Sequence, residues 1–139
     1  MEGINRMTMF EQVKEFHERF GVQINVPFTE DALELRDKLM NEELFELEDE
    51  MFPNDKALLF EPIDYTKIDR AKMTKELADL LYVVLGTAVT FGLPIEQVFD
   101  AVHKSNMSKL GDDGKPVYRE DGKVLKGPNY KAPDLTEFF

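Results

Sequence analysis

The chain contains no cysteine, which rules out disulfides, thiol nucleophiles and thiolate metal sites together. Histidine occurs only twice, and the paired Glu-x-x-His pattern of di-iron bundles is missing. Asp100-x-x-His103 has metal-ligand spacing on a helix, but with so few histidines His103 reads as a packed or capping residue. No glycine-rich phosphate loop occurs, so P-loop chemistry is excluded. Basic residues are scarce: 17 Lys and Arg stand against 28 Asp and Glu, for a formal net charge of -11. Nonspecific binding to nucleic-acid phosphates is therefore disfavoured, and an anionic ligand would need a cation or a local basic patch. Long apolar runs are missing as well. The longest, "LLYVVLGTAV" from Leu80, is too short to span a bilayer, and the N-terminus lacks the basic-then-apolar layout of a signal peptide. These absences predict a soluble, cytoplasmic protein with no membrane partner.

What is plentiful is carboxylate, the ligand type of hard cations rather than of zinc. The 139 residues, 42% of them hydrophobic, are enough for one domain with its own core. We expect a single domain over 1–139, with a helical core over about 7–110 and a tail over about 111–139.

Apolar residues recur at helical spacing from Met7 to Phe20, through Phe10, Val13, Phe16, His17 and Phe20, and Gly21 supplies a stop. The aromatic stripe Phe10, Phe16 and Phe20 reads as core or as a dimer interface. Thr29 can cap a second helix whose first turn carries Glu30 and Asp31, favourable beside the positive end of the macrodipole. Leu35, Leu39, Phe45 and Leu47 keep that helix apolar on one side to about Phe52. "PNDKALLFEPIDYTK" has two prolines and no sustained period, so it reads as a loop with room for one helical turn. A third helix runs from about Ile68 to Phe91 and ends at Gly92. Pro94 suits the first turn of a fourth, with Ile95, Val98, Phe99 and Val102 as its buried stripe. Four helices predict an all-α, four-helix-bundle-like fold. The segment "GDDGKPVYREDGKVLKGPNY" adds a short hairpin-like tail around Glu120-Asp121-Gly122. It is similar in composition to a calcium loop but lacks the alternating acidic positions of an EF-hand.

The carboxylates are not spread evenly. "NEELFELEDE", from Asn41 to Glu50, places Glu43 and Glu46 three apart on one helix face, with Glu42 beside them. "KELADLL" repeats the spacing on the third helix with Glu76 and Asp79. If the two helices pack together, these side chains converge, and carboxylates 4 Å apart repel by about 4 kcal/mol at an effective dielectric of 20. Such a cluster needs a cation unless it is protonated, and magnesium or manganese fits oxygen ligands best. Against this stands the plain reading that exposed Glu-rich helix faces are solvated charge. Asp79 weighs the other way, because it sits in an otherwise apolar stretch where an unpaired charge is costly.

Glu42-Glu43-x-x-Glu46 followed by Glu76-x-x-Asp79 resembles the EExxE…ExxD pattern of the all-α nucleoside triphosphate pyrophosphohydrolases, which include MazG-like and phosphoribosyl-ATP pyrophosphohydrolase-like proteins. "VKEFHERFG" and "VHKSNMSKLGDDGKPVYREDGKVLKGPNY" are similar to a MazG-like subgroup of small single-domain proteins. The resemblance covers most of the chain, from Phe10 to about Leu135. The gap between Glu46 and Glu76 is long for the family, which points to an inserted loop.

The resemblance implies a helical bundle that forms a homodimer or homotetramer and binds Mg2+, or Mn2+, through Glu43, Glu46, Glu76 and Asp79. It would cleave a (deoxy)nucleoside triphosphate between its α and β phosphates, with dGTP or dATP as guessed substrates, in nucleotide-pool control. Glu46 or Glu42 could take the proton of the attacking water. Asn106 and Lys109 are assigned to nucleotide or phosphate contact. Lys104 could join them, but it fits better as a complement to the negative end of the fourth helix. Lys126 and Tyr130, with Lys115, Tyr118 and Arg119, could close over a base or phosphate, or cover a neighbouring subunit. Two alternatives are carried: phosphoribosyl-ATP hydrolysis, and a non-catalytic acidic scaffold.

Overall fold

The computed structural model describes residues 6–53, 62 and 64–139. The chain divides into two compact units, Met1–Leu93 and Pro94–Phe139.

The first unit holds three helices, α1 (Met9–Phe20), α2 (Glu30–Met51) and α3 (Arg70–Phe91), with a short 3-10 turn at Tyr65–Lys67. Residues 54–61 and 63 of the expected loop lie outside the described residues. Each helix begins where a side-chain oxygen satisfies its orphan amides. Thr8 accepts from Glu11 N while the Glu11 side chain accepts from Thr8 N, a reciprocal capping box. Thr29 accepts from Ala32 N, and Asp69 from Ala71 N and Lys72 N. The predicted stops hold too: Gly21 and Gly92 take left-handed conformations at the ends of α1 and α3. At Gly92 a Cβ would also stand 2.6 Å from Asn25 Oδ1.

Helix α3 packs against both α1 and α2. The connection from α1 to α2 is pinned to its C-terminal end, where Asn25 N donates to Val89 O (3.2 Å) and Val26 N to Thr90 O (2.8 Å). Buried apolar side chains among the described residues are few: Val13, Ala32, Leu47, Ala88 and Val89. Beside them lie the buried polar side chains of Thr90, of Arg36, which periodicity did not single out, and of His17, which it included. Arg36 donates from Nε to Thr87 Oγ1 (3.1 Å) and from Nη2 to Val83 O (2.8 Å). The His17 ring bonds through Nδ1 to Gln23 O at 3.0 Å, so Nδ1 carries the proton and Nε2 is left facing the Arg36 side.

The expected stripes hold at Val13, His17 and Leu47 and are displaced elsewhere. Phe16 and Phe20 are exposed and stack on each other at 4.4 Å between ring centroids, while Val13 and His17 make the buried face of α1. On α2, Ala32 and the long stem of Arg36 join Leu47 at the buried face, while Leu35 and Phe45 stay exposed.

The second unit holds α4 (Ile95–Met107), a two-stranded antiparallel hairpin of β1 (Val117–Tyr118) and β2 (Val124–Leu125), and a final 3-10 turn at Thr136–Phe138. Val117 pairs with Leu125 and Tyr118 with Val124, as the turn residues predict. Arg119 and Asp121 form an ion pair within the hairpin turn. The tail is tied to α4 through Ser105 Oγ, which donates to Lys131 O at 2.8 Å, and through Lys131 N, which donates to Ser108 Oγ at 3.0 Å. Buried Ser105 faces the tail, and the expected stripe is displaced: Phe99 and Val102 are exposed, and His103 is exposed rather than packed. The fold is all-α with a C-terminal hairpin, and among the described residues no single helix is long and apolar enough to cross a membrane.

Candidate metal centre

Helix α2 carries its carboxylates three residues apart, and α3 lies against it, so the two helices bring Glu43, Glu46 and Glu76 into one cluster. One oxygen from each lies within 4.8 Å of the other two. Their settings differ. Glu46 is exposed, whereas Glu43 and Glu76 are half-buried between the helices. Glu43 Oε2 and Glu76 Oε2 are buried without a hydrogen-bond partner, an arrangement that costs free energy unless a ligand completes it. Burial pushes the Glu43 carboxyl above its ordinary pKa, and repulsion from Glu46, Asp79 and Glu76 pushes it further. Two unsatisfied carboxylate oxygens, a raised pKa and an exposed third carboxylate suit an oxygen-ligated divalent cation reached from solvent.

Asp79 stands outside that trio. Its Oδ2 is held by Lys75 Nζ at 2.6 Å, and the same ammonium reaches Glu76 Oε1 at 3.4 Å. Asp79 remains near enough to Glu43 to raise its pKa. Among the described residues, Lys75 is the group at the centre that the carboxylate pattern did not single out. The signal was present in "KELAD", where a lysine precedes Glu76 by one residue and Asp79 by four. Glu42 is exposed beside the cluster.

The remaining candidates all belong to the second unit. Asn106 and Lys104 are exposed, and Lys109 is half-buried at the C-terminal end of α4, where its carbonyl accepts from Gly127 N at 2.8 Å. Lys126 Nζ lies 4.6 Å from the Tyr130 ring centroid, a cation–π contact that pairs these two tail residues. Lys104 lines a pocket of about 640 Å³ between α4 and the tail, together with Asp100, Ser105, Lys131, Asp134 and Phe138. Asn106 and Lys109 do not line it.

Comparison with known proteins adds to this geometry. A family model described as phosphoribosyl-ATP pyrophosphohydrolase matches residues 13–106, which include all four carboxylates and most of both units' helices. No curated protein matches the chain. Among solved structures, the chain is similar to a provisionally assigned NTP pyrophosphohydrolase from Exiguobacterium sp. 255-15. The identity is 24% and the TM-score 0.46, over 96% of this chain and 80% of that one.

Proposed function

Because the chain belongs to the phosphoribosyl-ATP pyrophosphohydrolase family of phosphoanhydride hydrolases, we propose that it is a magnesium-dependent hydrolase of (deoxy)nucleoside triphosphates. Cleavage falls between the α and β phosphates and yields a nucleoside monophosphate and pyrophosphate. The observation that carries this reading is the carboxylate trio with the unpartnered oxygens Glu43 Oε2 and Glu76 Oε2. Family membership sets aside the non-catalytic scaffold.

Glu43, Glu46 and Glu76 hold the cation, and Asp79 joins them once it is free of Lys75. Magnesium, when bound, neutralises phosphate oxygens and lowers the pKa of water at the site. Glu46, exposed at the mouth of the cluster, takes the proton from the attacking water and can pass it to solvent, with Glu42 alongside to orient that water. Asn106 and Lys109 contact the nucleotide, and Lys104, Lys126 and Tyr130 supply further phosphate or base contacts. We place the protein in the cytoplasm as a homodimer or homotetramer without nucleic-acid or membrane partners. The exposed Leu33, Leu44, Leu77, Leu81 and Val84 on α2 and α3 support a second copy covering those helices. Purine deoxynucleotides, dGTP and dATP, head the substrate list. Phosphoribosyl-ATP is the second reading, favoured by the description of the matching family.

The test is pyrophosphate release, with product identification, from the eight common ribo- and deoxyribonucleoside triphosphates and from phosphoribosyl-ATP, with and without magnesium. Glu46→Gln is the control, and a loss of roughly 10²- to 10⁴-fold is expected if Glu46 is the base. Turnover of phosphoribosyl-ATP alone would select the second reading. Metal-independent release, or equal release by Glu46→Gln, would overturn the proposed site.

A further inference from the structure

Lys75 is joined to the carboxylate centre in a way that its position on the helix does not explain. A lysine four residues before an aspartate is the poorer orientation for an intrahelical pair, and most exposed pairs of this kind contribute little. The side chain is nevertheless drawn onto two carboxylates, at 2.6 Å from Asp79 Oδ2 and 3.4 Å from Glu76 Oε1. Two further carboxylates, Glu43 and Glu46, stand in the same cluster or beside it. The pull is the combined field of Asp79 and Glu76, with Glu43 close enough to feel the same ammonium, and not a helix pair in isolation.

Three features make this ammonium displaceable. Its side chain is 65% exposed, so it can leave for solvent without unpacking anything. It follows the helix backbone one residue before Glu76, so its departure requires only side-chain rotation. It also divides Glu76: Oε1 faces Lys75, while Oε2 is buried and unpartnered. The carboxylates that a divalent cation would use are thus partly committed to an internal cation.

We propose that Lys75 is an internal competitor of the divalent cation at this centre: its ammonium holds Glu76 and Asp79, and it has to release them as the cation is bound. The inference rests on the metal-site reading above and adds a regulator to it. Lys75 relieves carboxylate repulsion in the metal-free protein and weakens the site's affinity in proportion. It acts on the ligands and is a positioning residue, not a catalytic one.

The experiment is direct titration of the full chain with Mn2+ alone, read by calorimetry and by the paramagnetic resonance of the free ion. Wild type, Lys75→Gln, Lys75→Arg and Glu43→Gln are compared, each with its metal-free melting temperature. We expect Lys75→Gln to bind Mn2+ more tightly, by roughly 1.4- to fivefold, the size of a single exposed charge interaction. Its metal-free form should melt lower than wild type, and Lys75→Arg should restore the weaker binding. A merely structural role predicts the opposite sign, since a loosened helix would bind the ion less well. Equal or weaker binding by Lys75→Gln, with the wild type binding normally and Glu43→Gln not at all, would overturn the role of Lys75 and leave the site standing. If wild type takes up no Mn2+, or if Glu43→Gln binds as well as wild type, both readings fall.

Discussion

The guanidinium of Arg36 lies across Gly86, with Nη2 only 2.6 Å from where a Cβ on that glycine would stand and His17 Nε2 at 3.0 Å. Arg36 is fixed there by its bonds to Val83 O and Thr87 Oγ1. The close approach of α2, α1 and α3 depends on a residue without a side chain, and it brings a buried cation beside a buried imidazole.

Alanine at 86 should therefore reverse the usual gain from replacing a helix-interior glycine. That gain is about 0.5–1 kcal/mol, whereas overpacking typically costs about 1–3 kcal/mol. Gly86→Ala should lower the urea midpoint of unfolding with little change in slope. A higher midpoint would show that Arg36 can move aside freely.

Acid should weaken the protein through His17. Burial, with the Arg36 charge acting in the same direction, holds its pKa below the ordinary 6.5, outweighing the opposing bond to Gln23 O. The unfolded chain then takes up the proton first, so this contribution is complete above pH 6.5 and is lost as pH falls through the lower folded value. Urea midpoints between pH 8 and 5 should fall in that window, and His17→Gln should flatten the fall.

Glu43 slopes the other way, because its folded pKa is raised. Its contribution is present at low pH and is lost as pH rises from about 4.5 through the raised value. In metal-free protein at pH 8, Glu43→Gln should thus be stabilising, by about 2–4 °C in melting temperature if the relief is near 1 kcal/mol. The same variant should lose the upward shift that magnesium gives the wild type. Thermal melts with and without magnesium read both effects.

Ser105→Ala removes the buried hydroxyl that donates to Lys131 O. Loss of one such bond costs about 1 kcal/mol, and it should be felt within the second unit. Hydrogen exchange should quicken at Lys131 and its neighbours while amides in α3 keep their protection. Uniform loosening of the chain would contradict this local role.

Helix ends were readable because capping is a local matter: Thr29, Gly21 and Gly92 act within a turn of their own position. The pairs Glu43 with Glu46 and Glu76 with Asp79 were readable for the same reason, since i, i+3 places side chains on one helix face, whereas their convergence needed α2 to pack on α3. The buried face of α2 was readable only in part. Leu35, Phe45 and Leu47 carry its periodicity, yet of these three only Leu47 is buried, alongside Ala32 and Arg36. Period tells which residues share a face and is silent on which face finds a partner, and a buried arginine reveals itself only through Val83 O and Thr87. Asp79 was expected beside the trio, but the position of its carboxylate depends on the side-chain torsions of Lys75, which spacing does not encode.

The hairpin of the second unit has its own consequence. Val117, Tyr118, Val124 and Leu125 are all exposed, and the ladder is closed by the Arg119–Asp121 pair within its own turn. None of the four strand side chains is committed to an interior, so inheritance can alter them without unfolding the chain. That makes the hairpin tolerant of substitution, because its form rests on backbone pairing and its own turn and not on buried side chains.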